Sequence, residues 1–145
     1  MSGRVLPRVL VVDDMLVVRD VFGRFLEQAG MKPSFAADGI EALVSVRLEQ
    51  PDAIVADLDM PRMDGVALCA TLRADELMRD VPIVVVTGAA DDQARAALDA
   101  GCDAVLAKPC SRDLLVGTIR TLLERSAARR AAAATTPRPP PAATR

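Results

Sequence analysis

Histidine is absent from this chain, as are tryptophan and tyrosine, and phenylalanine occurs three times. Without histidine there is no Ser-His-Asp or Cys-His catalysis, no His-ligated zinc, and no phosphohistidine carried by the chain itself. So few aromatics argue against base-stacking nucleic-acid surfaces and aromatic sugar platforms. The three cysteines, Cys69, Cys102 and Cys110, are odd in number and lack Cys-x-x-Cys spacing. A disulfide framework is therefore not expected, and they read as small core residues of a protein in a reducing compartment. Long hydrophobic runs are missing as well. The longest strictly apolar stretch, Val66–Ala70, falls far short of the roughly 20 residues that a membrane helix needs. No signal-peptide pattern opens the chain, so no membrane span and a cytoplasmic location are expected.

What is present suits one globular domain. The chain has 145 residues, about half apolar and a quarter charged, within the usual range for a single core. Charge is uneven: residues 1–124 carry 13 Lys+Arg against 20 Asp+Glu, a net of −7, whereas residues 125–145 carry five Arg and no acid. The net of −7 and the +5 sum to the −2 of the whole chain. From Ala127 to Arg145 only Ala, Arg, Thr and Pro occur, closing around Pro137-Arg138-Pro139-Pro140-Pro141. We read residues 1–126 as the folded body and 127–145 as a disordered or polyproline-like basic tail, either a solvated end or an arm for a partner.

Within the body, short β-branched runs alternate with helical periodicity. Arg8–Asp13, Lys32–Ala36, Ala53–Asp57, Pro82–Thr87 and Ala104–Ala107 read as strands. Met15–Gly30, Ile40–Glu49, Asp64–Ala74, Asp91–Ala100 and a last segment capped by Ser111 read as helices. In the first helix Val18, Val21, Phe22, Phe25, Leu26 and Ala29 share one face. Strands apolar throughout imply a parallel sheet covered on both sides. The expected fold is an open, doubly wound α/β sheet with its site beyond the carboxyl ends of the strands; order 2-1-3-4-5, one of the two common orders, would put that site at the switch between strands 1 and 3.

The residues at those ends carry chemistry. The first strand delivers Asp13 and Asp14, the third Asp57, the fourth Thr87, and the fifth Lys108, one of two lysines in the chain. Each alone has a plain explanation as a cap or a turn; five on one edge do not. Clustered carboxylates repel unless a cation compensates. An oxygen-only donor set selects a hard divalent ion such as Mg²⁺. A carboxylate beside such an ion can attack phosphorus to give an acyl phosphate, with Lys108 and Thr87 as charge and hydrogen-bond donors to the phosphoryl group. Asp57 is the expected nucleophile, because its strand is central.

These stretches closely resemble the receiver domain of bacterial two-component response regulators. The matching segments are Val11-Val12-Asp13-Asp14, Asp57-Leu58-Asp59-Met60-Pro61-Arg62-Met63-Asp64-Gly65, Val85-Val86-Thr87-Gly88, and Ala100-Gly101 through Lys108-Pro109. The resemblance implies Asp57 as phosphoacceptor and Mg²⁺ held by Asp13, Asp14, Asp57 and the Asp59 backbone carbonyl. It also implies strand order 2-1-3-4-5, phosphoryl contacts from Thr87 and Lys108, and a cis bond before Pro109. Two departures stand out. Val105 occupies the switch position where the family usually has Tyr or Phe, and Asp59 is acidic at a position that influences dephosphorylation.

The resemblance implies a regulatory phosphoacceptor of a phosphorelay rather than an enzyme with a separate substrate. Its phosphodonor would be a histidine kinase or phosphotransfer protein. Its target would dock on the face formed by the fourth helix, fifth strand and last helix. A stand-alone receiver without a DNA-binding domain is expected. One competing reading is a phosphatase of the haloacid-dehalogenase type, whose Asp-x-Asp motif Asp57-Leu58-Asp59 mimics. There, however, an acidic pair follows the lysine, and here only Asp113 follows Lys108. The other is a receiver-like interaction module that is never phosphorylated.

Overall fold

The computed structural model describes residues 5–88 and 91–135. Five strands, β1 (Arg8–Val12), β2 (Lys32–Ala36), β3 (Ala53–Ala56), β4 (Ile83–Thr87) and β5 (Ala104–Ala107), alternate with five helices. These are α1 (Leu16–Gln28), α2 (Gly39–Leu48), α3 (Gly65–Ala74), α4 (Asp91–Asp99) and α5 (Arg112–Thr135). All pairings are parallel, as the apolar runs predicted, and the order is β2-β1-β3-β4-β5, as the resemblance implied.

Strand alternation divides the core in two. Leu10, Val12, Ile54, Ala56, Ile83 and Val85 point to one face and pack under α2, α3 and α4 through Ala42, Val46, Leu68, Leu72 and Ala97. Val9, Val11, Val55, Val84 and Val86 point to the other and meet Phe22 and Leu26 of α1 and Leu115, Ile119 and Leu122 of α5. Burial on both faces explains why these strands read as continuous apolar runs. Cys69 and Cys102 sit in the first of these layers. Burial pushes their thiols up to about 12 and about 11, which keeps them neutral at physiological pH. Cys110 is partly buried, and all three are free.

Local chemistry sets the helix ends. α1 closes with Gly30 at φ 77, where the Met31 amide donates to the Leu26 carbonyl at 2.9 Å and the Gly30 amide to Glu27 at 3.1 Å. That paired closure requires a left-handed residue, which glycine adopts without a Cβ penalty. The exposed carbonyl end of α1 also receives Arg120 of α5, whose guanidinium donates to Ala29 at 3.0 Å. On the other face of the sheet, Arg73 of α3 donates to the Val81 carbonyl at 2.7 Å and to the Asp103 carboxylate at 2.8 Å. Asp103 in turn accepts from the Ile83 amide at 2.7 Å. This network fixes where β4 and β5 begin, and hence where their far ends deliver Thr87 and Lys108.

Two expectations are corrected. Val21 does not belong to the buried face of α1; it is 40% exposed, with Leu16 at 63% and Val17 at 60%. Successive helical residues diverge by about 100°, and the buried arc is centred between Phe22 and Leu26, leaving Val21 on its outer margin. The second concerns the tail. α5 continues to Thr135, so residues 127–135, read from composition as disordered, are helical. Alanine and arginine are strong helix formers, and elongating a helix already anchored by Leu115, Ile119 and Leu122 avoids the nucleation penalty. Residues 136–145, with the proline cluster, lie outside the described residues.

The buried and exposed leucines of α5 provide a test. Leu115 is fully buried and Leu114 is half exposed. Leu115→Ala is expected to lower unfolding free energy by about 3 kcal/mol. Leu114→Ala is expected to stay within about 0.5 kcal/mol of the parent. Urea denaturation of the two variants checks both.

Candidate functional site

Register brings the carboxylates together. Val12 pairs with Ala56 across β1 and β3, so the next residues, Asp13 and Asp57, emerge side by side. The Asp57 amide donates to the Val12 carbonyl at 2.9 Å, and the Asp13 amide donates to Ala36 at 3.1 Å. On the other side, Thr87 pairs with Ala107 across β4 and β5, so Lys108 follows directly. Its amide donates to the Thr87 carbonyl at 3.0 Å, and the Lys108–Pro109 bond is cis.

Lys108 bridges the cluster. Its Nζ lies 2.9 Å from Asp13 Oδ2 and 3.3 Å from Asp57 Oδ2. Asp13, Asp57 and Thr87 are buried, at 2%, 8% and 4% exposure. Asp14 is exposed at the mouth. It is not the helix cap that its position suggested: the cap residue of α1 is Met15, whose amide donates to Asp13 Oδ1 at 2.9 Å. One carboxylate oxygen from each of Asp13, Asp14 and Asp57 lies within 4.8 Å of the others. Asp59 is exposed, and its amide approaches Asp57 Oδ1 at 3.4 Å. Val105 lies half-buried on β5 against the α2–α4 layer, two strands away from the one that delivers Asp57.

Electrostatics follow from this crowding. Burial pushes the Asp57 carboxyl above the usual range; the charge of Lys108 opposes this and that of Asp13 adds to it. At Lys108 burial pulls the ammonium down, but the hydrogen bond and charge of Asp13, with Asp57 behind them, outweigh it and leave the group raised. Lys108 is therefore cationic and Asp57 is a more basic carboxylate than a solvated one. Three carboxylates share one ammonium, leaving an excess of negative charge on an oxygen-only donor set. That donor set fits a hard divalent cation with some of its waters retained, as Mg²⁺ prefers.

Two contributors were given no role in the sequence reading, where Arg19 is not named and Gly65 only closes a matching segment. Arg19 of α1 donates to the Asp13 carbonyl at 2.7 Å, fastening the β1–α1 turn. A basic residue in the first two turns after an acidic pair was the available signal. Gly65, at the start of α3, lies so near the end of β3 that a Cβ there would come 2.5 Å from the Asp57 carbonyl oxygen. The glycine lets α3 press against the backbone of Asp57.

Comparison with known proteins follows the same lines. Residues 9–120 match the response regulator receiver domain family. Response regulator MprA of Mycobacterium leprae is 42% identical over 120 residues, which is 82% of this chain and 52% of that protein. The chain thus spans about half the length of such curated relatives. A CheY-like receiver domain protein of Methanospirillum hungatei superposes with a TM-score of 0.81 at 28% identity, covering 86% of this chain and 99% of the other. The receiver domain of the sensor histidine kinase PA1611 of Pseudomonas aeruginosa superposes with a TM-score of 0.77 at 31% identity, covering 83% and 99%. That structure has a magnesium ion coordinated in its active-site cleft.

The raised Asp57 carboxyl yields a stability prediction with a definite sign. A carboxyl raised in the folded state favours folding when protonated and opposes it when ionised. Asp57→Asn, in Mg²⁺-free buffer, is therefore expected to melt higher than the parent at neutral pH. The advantage should shrink as pH falls through the elevated Asp57 range. Equal melting temperatures at neutral pH would contradict the crowding described above.

Proposed function

The chain belongs to the response regulator receiver domain family, and on that footing we propose that Asp57 accepts a phosphoryl group from a partner phosphohistidine. The observation that carries this reading is the Asp13–Lys108–Asp57 bridge at the carboxyl edge of the sheet. An Asp57 carboxylate oxygen attacks phosphorus; the new O–P bond forms as the donor's N–P bond breaks. The imidazole nitrogen leaves with that electron pair and takes a proton from solvent. Acyl phosphate on Asp57 is the product.

Each neighbour has a separate task. Burial makes Asp57 more basic, which strengthens it as a nucleophile. The Lys108 ammonium lies where negative charge grows on the transferring group. The Thr87 hydroxyl, at the end of the adjacent strand, donates to a phosphoryl oxygen. Mg²⁺, held by Asp13, Asp14, Asp57 and the Asp59 carbonyl, would neutralise phosphoryl charge when bound. The exposed apolar first turn of α1, with Met15, Leu16 and Val17 beside Asp14, supports docking of a phosphodonor histidine kinase or phosphotransfer protein there. Output runs through partner binding on the α4–β5–α5 face. With Val105 in place of an aromatic, movement at Thr87 is the proposed origin of the signal. Among the described residues no helix is long and apolar enough to cross a membrane; we take the protein to act in the cytoplasm, as a regulatory phosphoacceptor rather than an enzyme.

Radiolabelled acetyl phosphate with Mg²⁺ tests the assignment. The parent is expected to take label and Asp57→Asn to take none. Asp14→Asn removes one anionic ligand and is expected to weaken Mg²⁺ binding by about tenfold or more, read by calorimetric titration. Undiminished labelling of Asp57→Asn would overturn the reading, and an unlabelled parent would favour an interaction module that is never phosphorylated.

A further inference from the structure

The loop from Asp57 to Gly65 is anchored at its two ends, by the β3 register and by the Gly65 amide donating to the Leu58 carbonyl at 3.0 Å. Its middle is held differently. Arg62 is the one non-glycine residue with positive φ among the described residues, at 67°, a conformation disfavoured for residues carrying a Cβ. Its guanidinium reaches across to Asp38, the cap of α2, donating from Nε at 2.9 Å and from a terminal nitrogen to the same Oδ2. Asp38 is buried, and its other oxygen caps α2 by accepting from the Glu41 amide at 2.9 Å. Glu41 itself flanks Arg62 at 4.0 Å.

A second contact sits beside the first. Met63 lies over Gly39, where a Cβ would come within 2.7 Å of the Met63 side chain. Among the described residues, Arg62 makes the hydrogen bonds that join Asp59–Met63 to another element; the rest are internal to the loop or its ends. A glycine would satisfy φ at position 62 without strain. An arginine there is accounted for by what its side chain holds.

We propose that the Arg62–Asp38 ion pair is a clamp that presets the β3–α3 loop, making both positioning residues for the phosphoacceptor site. The clamp rests on the phosphoacceptor reading for its purpose, but not for its existence. It ties the segment that carries Asp59 to the amino end of α2, so the loop is ordered before cation or phosphoryl group arrives. Preorganisation of this kind acts through the ligands' supports rather than through the reacting atoms.

Arg62→Gly relieves the backbone strain and removes the clamp, and Asp38→Asn keeps the α2 cap while removing the charge. In Mg²⁺-free solution, exchange of the hydrogen-bonded loop amides of Asp59 and Met63 is expected to accelerate about tenfold in either variant, while the sheet stays protected. The Mg²⁺ dissociation constant, measured by calorimetry with the metal alone, is expected to rise about tenfold in each. The double variant is expected to match the worse single variant, because both remove one interaction. Unchanged loop exchange and unchanged Mg²⁺ affinity in both variants would overturn the clamp, as would fully additive losses in the double variant. An unlabelled parent in the acetyl phosphate assay would overturn the phosphoacceptor reading alone, since loop exchange judges the clamp without it.

Discussion

Two carboxylates on neighbouring strands are buried side by side, and one ammonium touches both. Asp13 and Asp57 would repel each other at the end of β1 and β3 if Lys108 did not reach them from β5. Buried charges are costly unless paired, so the position of Lys108 is a condition for the cluster to exist. That position depends in turn on the β4–β5 register, on the Lys108 amide bonded to Thr87, and on the Arg73–Asp103 network that sets where both strands begin. The two apolar layers hold the strands to this register. Stability of the fold and chemistry of the edge are thus coupled through one lysine.

The same pairing bears on the phosphoryl transfer proposed for this edge. Asp57 is raised by burial yet stays within reach of solvent, whereas Asp13 is more deeply enclosed and bonded to Lys108 and the Met15 amide. On the proposed reading, a carboxylate kept basic and only partly compensated by Lys108 gains most when a cation and a phosphoryl group arrive. Destabilisation of the empty site and affinity for the loaded one are two faces of the same electrostatics.

Much of this was legible in the sequence because it is periodic or terminal. The runs of β1, β3 and β4 are apolar on both faces and end in Asp13, Asp57 and Thr87, so strands and edge residues followed from pattern, while the strand order needed the family resemblance as well. β2 was faint because it is the edge strand, with Lys32, Ser34 and Phe35 exposed. Val21 was assigned to the wrong side because its helix is apolar on two faces near its start, and periodicity does not say which one is buried. Residues 127–135 were misread because composition signals the absence of a docking face, not the helix propensity of alanine carried on from an anchored helix. The Arg62–Asp38 pair joins residues far apart in sequence through a loop with no period at all. An aspartate before an apolar helix is an available cap signal at Asp38, but nothing local marks its second partner.

The central claim is that phosphoryl transfer occurs on Asp57 and on no other carboxylate of the cluster. An acyl phosphate is cleaved reductively by borohydride, which converts the acylated aspartate to homoserine. Treating the protein with acetyl phosphate and Mg²⁺, reducing it, and mapping the peptides by mass spectrometry reads the position directly. Homoserine at 57, and unaltered aspartate at 13, 14 and 59, is the predicted result. Homoserine at 13, 14 or 59 with Asp57 intact would contradict the account.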